Sequence, residues 1–159
     1  MASPDVLMLQ ETIYEDSLLS ISCKRWKMNI GKVVSAIGTV GGIATLCPEN
    51  AFYLQNSLSS QHWIFTKLTH IPSKQMICLF NLYVSVNIKE KWSYWSSPVA
   101  CLDSNSFSNI IVIGDLNLIL NEKEKSGGVY GKDPMLKIVD NFIVAWEPTD
   151  FKPKRGRFT

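Results

Sequence analysis

The chain has 159 residues, with 16 Lys and Arg against 14 Asp and Glu, a formal charge of +2, and 46% apolar against 19% charged residues. This balance excludes an intrinsically disordered polymer and a broadly polycationic nucleic-acid binder: there is apolar surface enough for one core, and affinity for a polyanion must come from local clusters of Lys and Arg. One domain over 1–159 is expected, and an intracellular one, because no apolar run reaches the roughly 18 residues of a membrane span and "MASPDVLMLQ" carries no secretory signal.

Short β-branched and aromatic runs with turn chemistry between them dominate the first half. They predict strands at 5–10 ("DVLMLQ"), 18–23 ("LLSISC"), 33–39 ("VVSAIGT"), 42–47 ("GIATLC"), 51–57 ("AFYLQNS"), 62–70 ("HWIFTKLTH") and 76–84 ("MICLFNLYV"). In "HWIFTKLTH" the alternation sets Trp63, Phe65 and Lys67 against Ile64, Thr66 and Leu68, so neither face is cleanly polar. Ile88, Trp92, Trp95 and Val99 recur at helical steps, with Pro98 expected to bend or interrupt the later turns.

The run "NIIVIGDLNLIL" then suits a strand covered on both faces. A last helix is predicted over "DPMLKIVDNFIVAWE", capped by Asp133, started by Pro134, ended by Pro148, and apolar along Leu136, Val139, Phe142, Ile143 and Trp146. Gly127 and Gly128 mark a long turn before it. Strands first, then helix, strand and helix, point to an α/β fold: a sheet-rich sandwich with helices outside.

Cys23, Cys47, Cys78 and Cys101 lie far apart, and His62 and His70 are not spaced with them as zinc ligands, so packed, reduced thiols are expected. Lys152, Lys154, Arg155 and Arg157 form the one dense basic cluster, either a solvated segment or a phosphate-binding one.

Chemistry gathers where apolar runs end. Asp115 and Asn117 lie on the same face of their strand, opposite Leu116, so both would emerge at its C-terminal rim. Equally, Gly114-Asp115 could open a turn in which Asn117 satisfies loop backbone. Glu11 follows the first strand; alone it would be solvated, and beside another acid it would offer the hard oxygen that Mg²⁺ prefers. Asn81 and Tyr83 share a face near a third strand end, where a tyrosine either packs with its hydroxyl wet or contacts phosphate.

The ordered blocks "LQET", "GGIATL", "NLYVSV", "IVIGDLN", "EKEKSGG" and "DFKPKRGRFT" resemble the endonuclease/exonuclease/phosphatase superfamily. "EKWSYWSS", "GDLNLIL" and "KPKRGRFT" are most similar to the endonuclease domain of plant LINE-type (non-LTR) retrotransposon proteins. The resemblance implies a four-layered α/β sandwich that cleaves phosphodiester bonds of DNA with Mg²⁺ or Mn²⁺, and a nuclear location for that substrate. Under it Glu11 is the metal ligand, Asp115 orients or deprotonates the attacking water, Asn117 helps hold the phosphate, and Tyr83 lies near the scissile phosphate.

The family pattern also implies a first strand ending in Asn ahead of "LQET" and an "SDH"-like block after "GRFT", neither of which is in the sequence. Ser85 and Val86 stand where Pro and often Asn follow the tyrosine, and Pro98 stands where Leu is usual. The expectation is therefore an incomplete, retroelement-derived domain without useful turnover. The alternative is a non-catalytic remnant that binds nucleic acid or protein through the basic cluster; a phosphatase of the same superfamily is a third possibility.

Overall fold

The computed structural model describes residues 5–12, 16–37, 41–84, 95–101, 109–117 and 136–146. In chain order these form β1 (Leu7–Gln10), α1 (Asp16–Trp26), β2 (Asn29–Val34), β3 (Ile43–Cys47), β4 (Phe52–Ser60), β5 (Trp63–His70), β6 (Met76–Tyr83), α2 (95–101), β7 (Ile110–Asp115) and α3 (Leu136–Trp146). Two sheets result: an antiparallel one in the order β1-β3-β2, and a second in the order β4-β5-β6-β7, antiparallel except for the parallel β6–β7 pair. Parallel strands need a long crossover, and the connection that contains α2 makes it.

Alternation along the central strands builds the layers. On β3, Ala44 and Leu46 turn toward Leu19, Cys23 and Met28, while Ile43 and Cys47 turn toward the second sheet. On β6, Leu79 and Tyr83 meet that inner face, and Cys78, Phe80 and Leu82 face outward. There Trp63 stacks on Phe80 at 5.3 Å, and Trp63 Nε1 donates to Ser97 Oγ at 3.1 Å, tying α2 to β5. Val84, Trp95 and Val139 bury a further cluster that draws in α3. Helix α1, two sheets, and α2 with α3 are thus packed in succession, the α/β sandwich that the sequence predicts.

Some elements differ from expectation. Residues 18–23 are helical within α1. A strand there would put Leu19, Ile21 and Cys23 on one side, but Ile21 is 65% exposed whereas Leu19 and Cys23, four residues apart, are buried together. The predicted strand at 33–39 instead spans Asn29–Val34. β5 is unsorted because both its faces are covered: Trp63 and Phe65 lie under the α2 layer, and Ile64, Thr66 and Leu68 between the sheets. Residues 95–101 stay helical through a buried Pro98, held by the packing of Trp95, Val99 and Cys101.

β7 is not covered on both faces. Ile110 and Val112 pack outward, but Ile111 and Ile113, on the inner side, are 47% and 48% exposed at the mouth of a cavity of about 730 Å³ between the sheets. β7 is the outer strand of its sheet among the described residues. Cys23, Cys47 and Cys78 are buried, reduced thiols, as expected. Among the described residues no helix is long and apolar enough to cross a membrane. The cap at Asp133 and Pro134, Gly127 and Gly128, Ser85 and Val86, and the cluster at 152–157 lie outside the described residues, as do the side chains of Phe142, Ile143 and Trp146.

Candidate active site at three strand ends

Parallel pairing of β6 with β7 brings their C-terminal ends side by side, with Tyr83 in register with Asp115 and Leu82 with Gly114. The approach is close. A Cβ on Gly114 would lie 1.9 Å from the Leu82 carbonyl oxygen, so only glycine lets β7 come this near just before the acid. Beyond the register, Val84 N donates to Asp115 O at 2.9 Å and Asn117 Nδ2 donates to Val84 O at 2.6 Å.

β7 stops at Asp115. The Asp115 carboxylate accepts from its own backbone two residues on, Asn117 N to Oδ1 at 2.9 Å, while Asn117 adopts a left-handed φ of 47°. Both sequence readings of "GDLN" therefore hold in part: the acid reaches the exposed rim, and the asparagine amide is engaged with loop backbone. Leu116, between them, packs into the core beside Val84 and Trp95.

The third strand end arrives from the other sheet. Glu11 follows β1 at φ 51°, a left-handed conformation that is uncommon for a residue with a long side chain. Its turn is held by Thr12 N donating to Gly42 O at 3.1 Å, against a glycine whose own φ of 88° and 2.2 Å Cβ-to-Thr12 O distance exclude a side chain. From there the Glu11 carboxylate reaches the Tyr83 hydroxyl, which donates to Oε1 at 2.6 Å across 72 residues of sequence.

That bond dominates the electrostatics. Tyr83 is pushed up to about 12, first because its hydroxyl donates to Glu11, then because its ring is buried, then because the Glu11 and Asp115 charges disfavour a phenolate. Tyr83 is accordingly a donor at neutral pH and not a base. Both carboxylates act on the same hydroxyl, so Glu11, Tyr83, Asp115 and Asn117 occupy one corner.

The donor set at this corner suits a hard cation. Two exposed carboxylates stand there. Mg²⁺ binds through one or two carboxylates while keeping waters and substrate oxygens. Among the described residues no group of three or more His, Cys, Asp or Glu forms a fuller cage. None of the four residues lines the cavity between the sheets.

Sequence reading did not find what holds Glu11. Gly42 and Thr12 were visible only as letters of two blocks, and Asn81 as a strand-end amide. The usable signal was an amide at an inward position of β6, between Leu79 and Tyr83, where an apolar residue is the rule.

No family model matches the chain, and no curated protein matches it. Solved structures do. The human Nocturnin catalytic domain with bound sulfate superposes with a TM-score of 0.56 at 18% identity, over 73% of this chain and 52% of that one. ANGEL2, a 2',3'-cyclic phosphatase in complex with adenosine-2',3'-vanadate, gives 0.60 at 18% identity, over 86% and 43%. Humanized D. rerio TDP2 carrying 14 mutations gives 0.51 at 16% identity, over 73% and 50%.

All three are endonuclease/exonuclease/phosphatase superfamily members, and this chain shares their fold. It spans about half the length of the structures it matches.

Proposed function

We propose that the corner formed by Glu11, Tyr83, Asp115 and Asn117 is the metal- and phosphate-facing part of a phosphodiesterase that acts on nucleic acid, with DNA as substrate and a LINE-type retroelement endonuclease as ancestor. The observation that carries this reading is the 2.6 Å bond from Tyr83 to Glu11 beside a register-paired Asp115, which joins three separate motif blocks in one place. The ancestry rests on the order of those blocks. The cyclic-phosphatase activity named for ANGEL2 supports phosphoester chemistry on this fold.

In this reading Glu11 is the residue that would hold Mg²⁺ or Mn²⁺, and the chemistry such an ion would supply there is polarisation of the phosphoryl group and neutralisation of charge on the leaving oxygen. Asp115 orients a water and accepts its proton; the acid is exposed, and its turn with Asn117 N fixes the carboxylate plane. Tyr83, kept protonated, stiffens Glu11 and remains a donor. Asn117, which the resemblance assigns to phosphate, acts first as a clamp between two strand ends through its bond to Val84 O.

Metal binding is the primary readout and nicking the second. Calorimetric titration with Mn²⁺ and a Mg²⁺-dependent plasmid-nicking assay are run on the chain, Glu11→Ala and Asp115→Ala. The expected result is Mn²⁺ affinity reduced on the order of tenfold or more in Glu11→Ala, with any nicking lost in both variants. Metal binding or nicking that survives both substitutions refutes the assignment.

A further inference from the structure

Asn81 is fully buried between the sheets, where an amide is tolerated only if its polar atoms find partners. They do, and every partner belongs to the opposite sheet. Gln10 Nε2 donates to Asn81 Oδ1 at 2.6 Å; Asn81 Nδ2 donates to Ala44 O at 3.0 Å, with longer contacts to Leu9 O at 3.4 Å and Thr45 Oγ1 at 3.5 Å. Around it lie Ile64, in register with Asn81 across β5–β6, and Leu79 on the same face, so the position is one that an apolar side chain such as leucine would ordinarily take.

What a leucine lacks is direction. Two of these contacts, the bond accepted from Gln10 and the longer one donated to Leu9 O, involve the two residues that immediately precede Glu11, while Thr12, the residue after it, is fixed to Gly42. Glu11 is thus clamped on both sides and held in its left-handed turn. Two residues farther along the same face of β6 stands Tyr83, whose hydroxyl donates to the Glu11 carboxylate.

We propose that Asn81, acting with Gln10, is a positioning residue for the Glu11 carboxylate: the buried amide sets the end of β1 against β6 so that Glu11 leaves its turn pointed at the Tyr83 hydroxyl. Asn81 itself reaches neither water nor substrate. The geometric claim stands on the contacts alone, and only its consequence for a metal ion rests on the phosphodiesterase reading.

The test uses the full chain, Asn81→Leu and Gln10→Met, each checked for folding by near-ultraviolet circular dichroism. The first readout is the coupling between Glu11 and Tyr83, taken from a double-mutant cycle of Glu11→Ala and Tyr83→Phe in each background. The expected result is a coupling reduced by about half or more in both variants, with Mn²⁺ affinity weaker on the order of tenfold. An unchanged coupling in folded variants whose melting temperature alone has dropped overturns the proposal and leaves Asn81 a core residue.

Should Asn81→Leu fail to fold, Gln10→Met decides, since Gln10 is only half-buried and its loss removes one bond. If the unmodified chain takes up no Mn²⁺, the phosphodiesterase reading falls, while the coupling still settles the positioning role.

Discussion

Replacing Gly114 with alanine perturbs the one place where β6 and β7 come too close for a side chain. The added methyl would lie 1.9 Å from Leu82 O, 2.7 Å from Leu82 C and 2.9 Å from Leu82 Cα, all backbone atoms of a buried strand. No rotamer can relieve such a contact, so β7 must withdraw by about 1 Å in an interior packed to crystal density.

Withdrawal stretches the 2.9 Å bond from Val84 N to Asp115 O and the 2.6 Å bond from Asn117 to Val84 O. Overpacking costs about 1–3 kcal/mol and a weakened hydrogen bond about 1, offset by about 0.4–1 from the stiffer unfolded chain. The expected net loss is about 2 kcal/mol, which at a urea slope of about 2 kcal/mol/M lowers the unfolding midpoint by about 1 M. A midpoint within about 0.2 M of the unsubstituted chain would refute the reasoning, because it would mean the strands are not this close.

Further outcomes are expected. The thiols of Cys23, Cys47, Cys78 and Cys101 are all pushed up by burial, so a thiol-disulfide reagent at neutral pH should label the native chain slowly and all four sites once urea unfolds it. Prompt labelling of Cys23 or Cys47 in the folded chain would contradict the packing. Tyr83 is raised from an unfolded value near 10 to about 12, so its contribution to stability is complete below about pH 10 and is lost as pH rises through about 12. Urea unfolding at stepped alkaline pH should therefore show a decline over that window that Tyr83→Phe lessens. Thr66 is fully buried, and its hydroxyl has no hydrogen-bond partner among the described residues, so Thr66→Val should raise stability by about 1 kcal/mol, read as a higher urea midpoint.

Much of the architecture was legible because a central strand must carry apolar residues on both faces and a turn must carry Gly, Pro or Asn. The runs around β3, β5 and β6 show this directly. Residues 18–23 misled because Leu19, Ile21 and Cys23 fit a two-residue period as well as Leu19 and Cys23 fit a helical one, and only the partner surface of Ala44 and Leu46 decides between them. β7 misled for the opposite reason: a continuous apolar run signals burial on both faces, yet whether a neighbour covers Ile111 and Ile113 is a property of the sheet.

Which groups stand at the strand ends follows from alternation along each strand, which puts Asp115 opposite Leu116 and Tyr83 on the face of Asn81. The sequence also supplies the glycines without which the chain could not turn or approach there. That three such ends meet is a property of the fold. Proximity of Glu11 to Tyr83 depends on how one sheet lies over another, and that placement is set by packed volume and by the buried Asn81 amide, neither of which leaves a periodic trace along the chain.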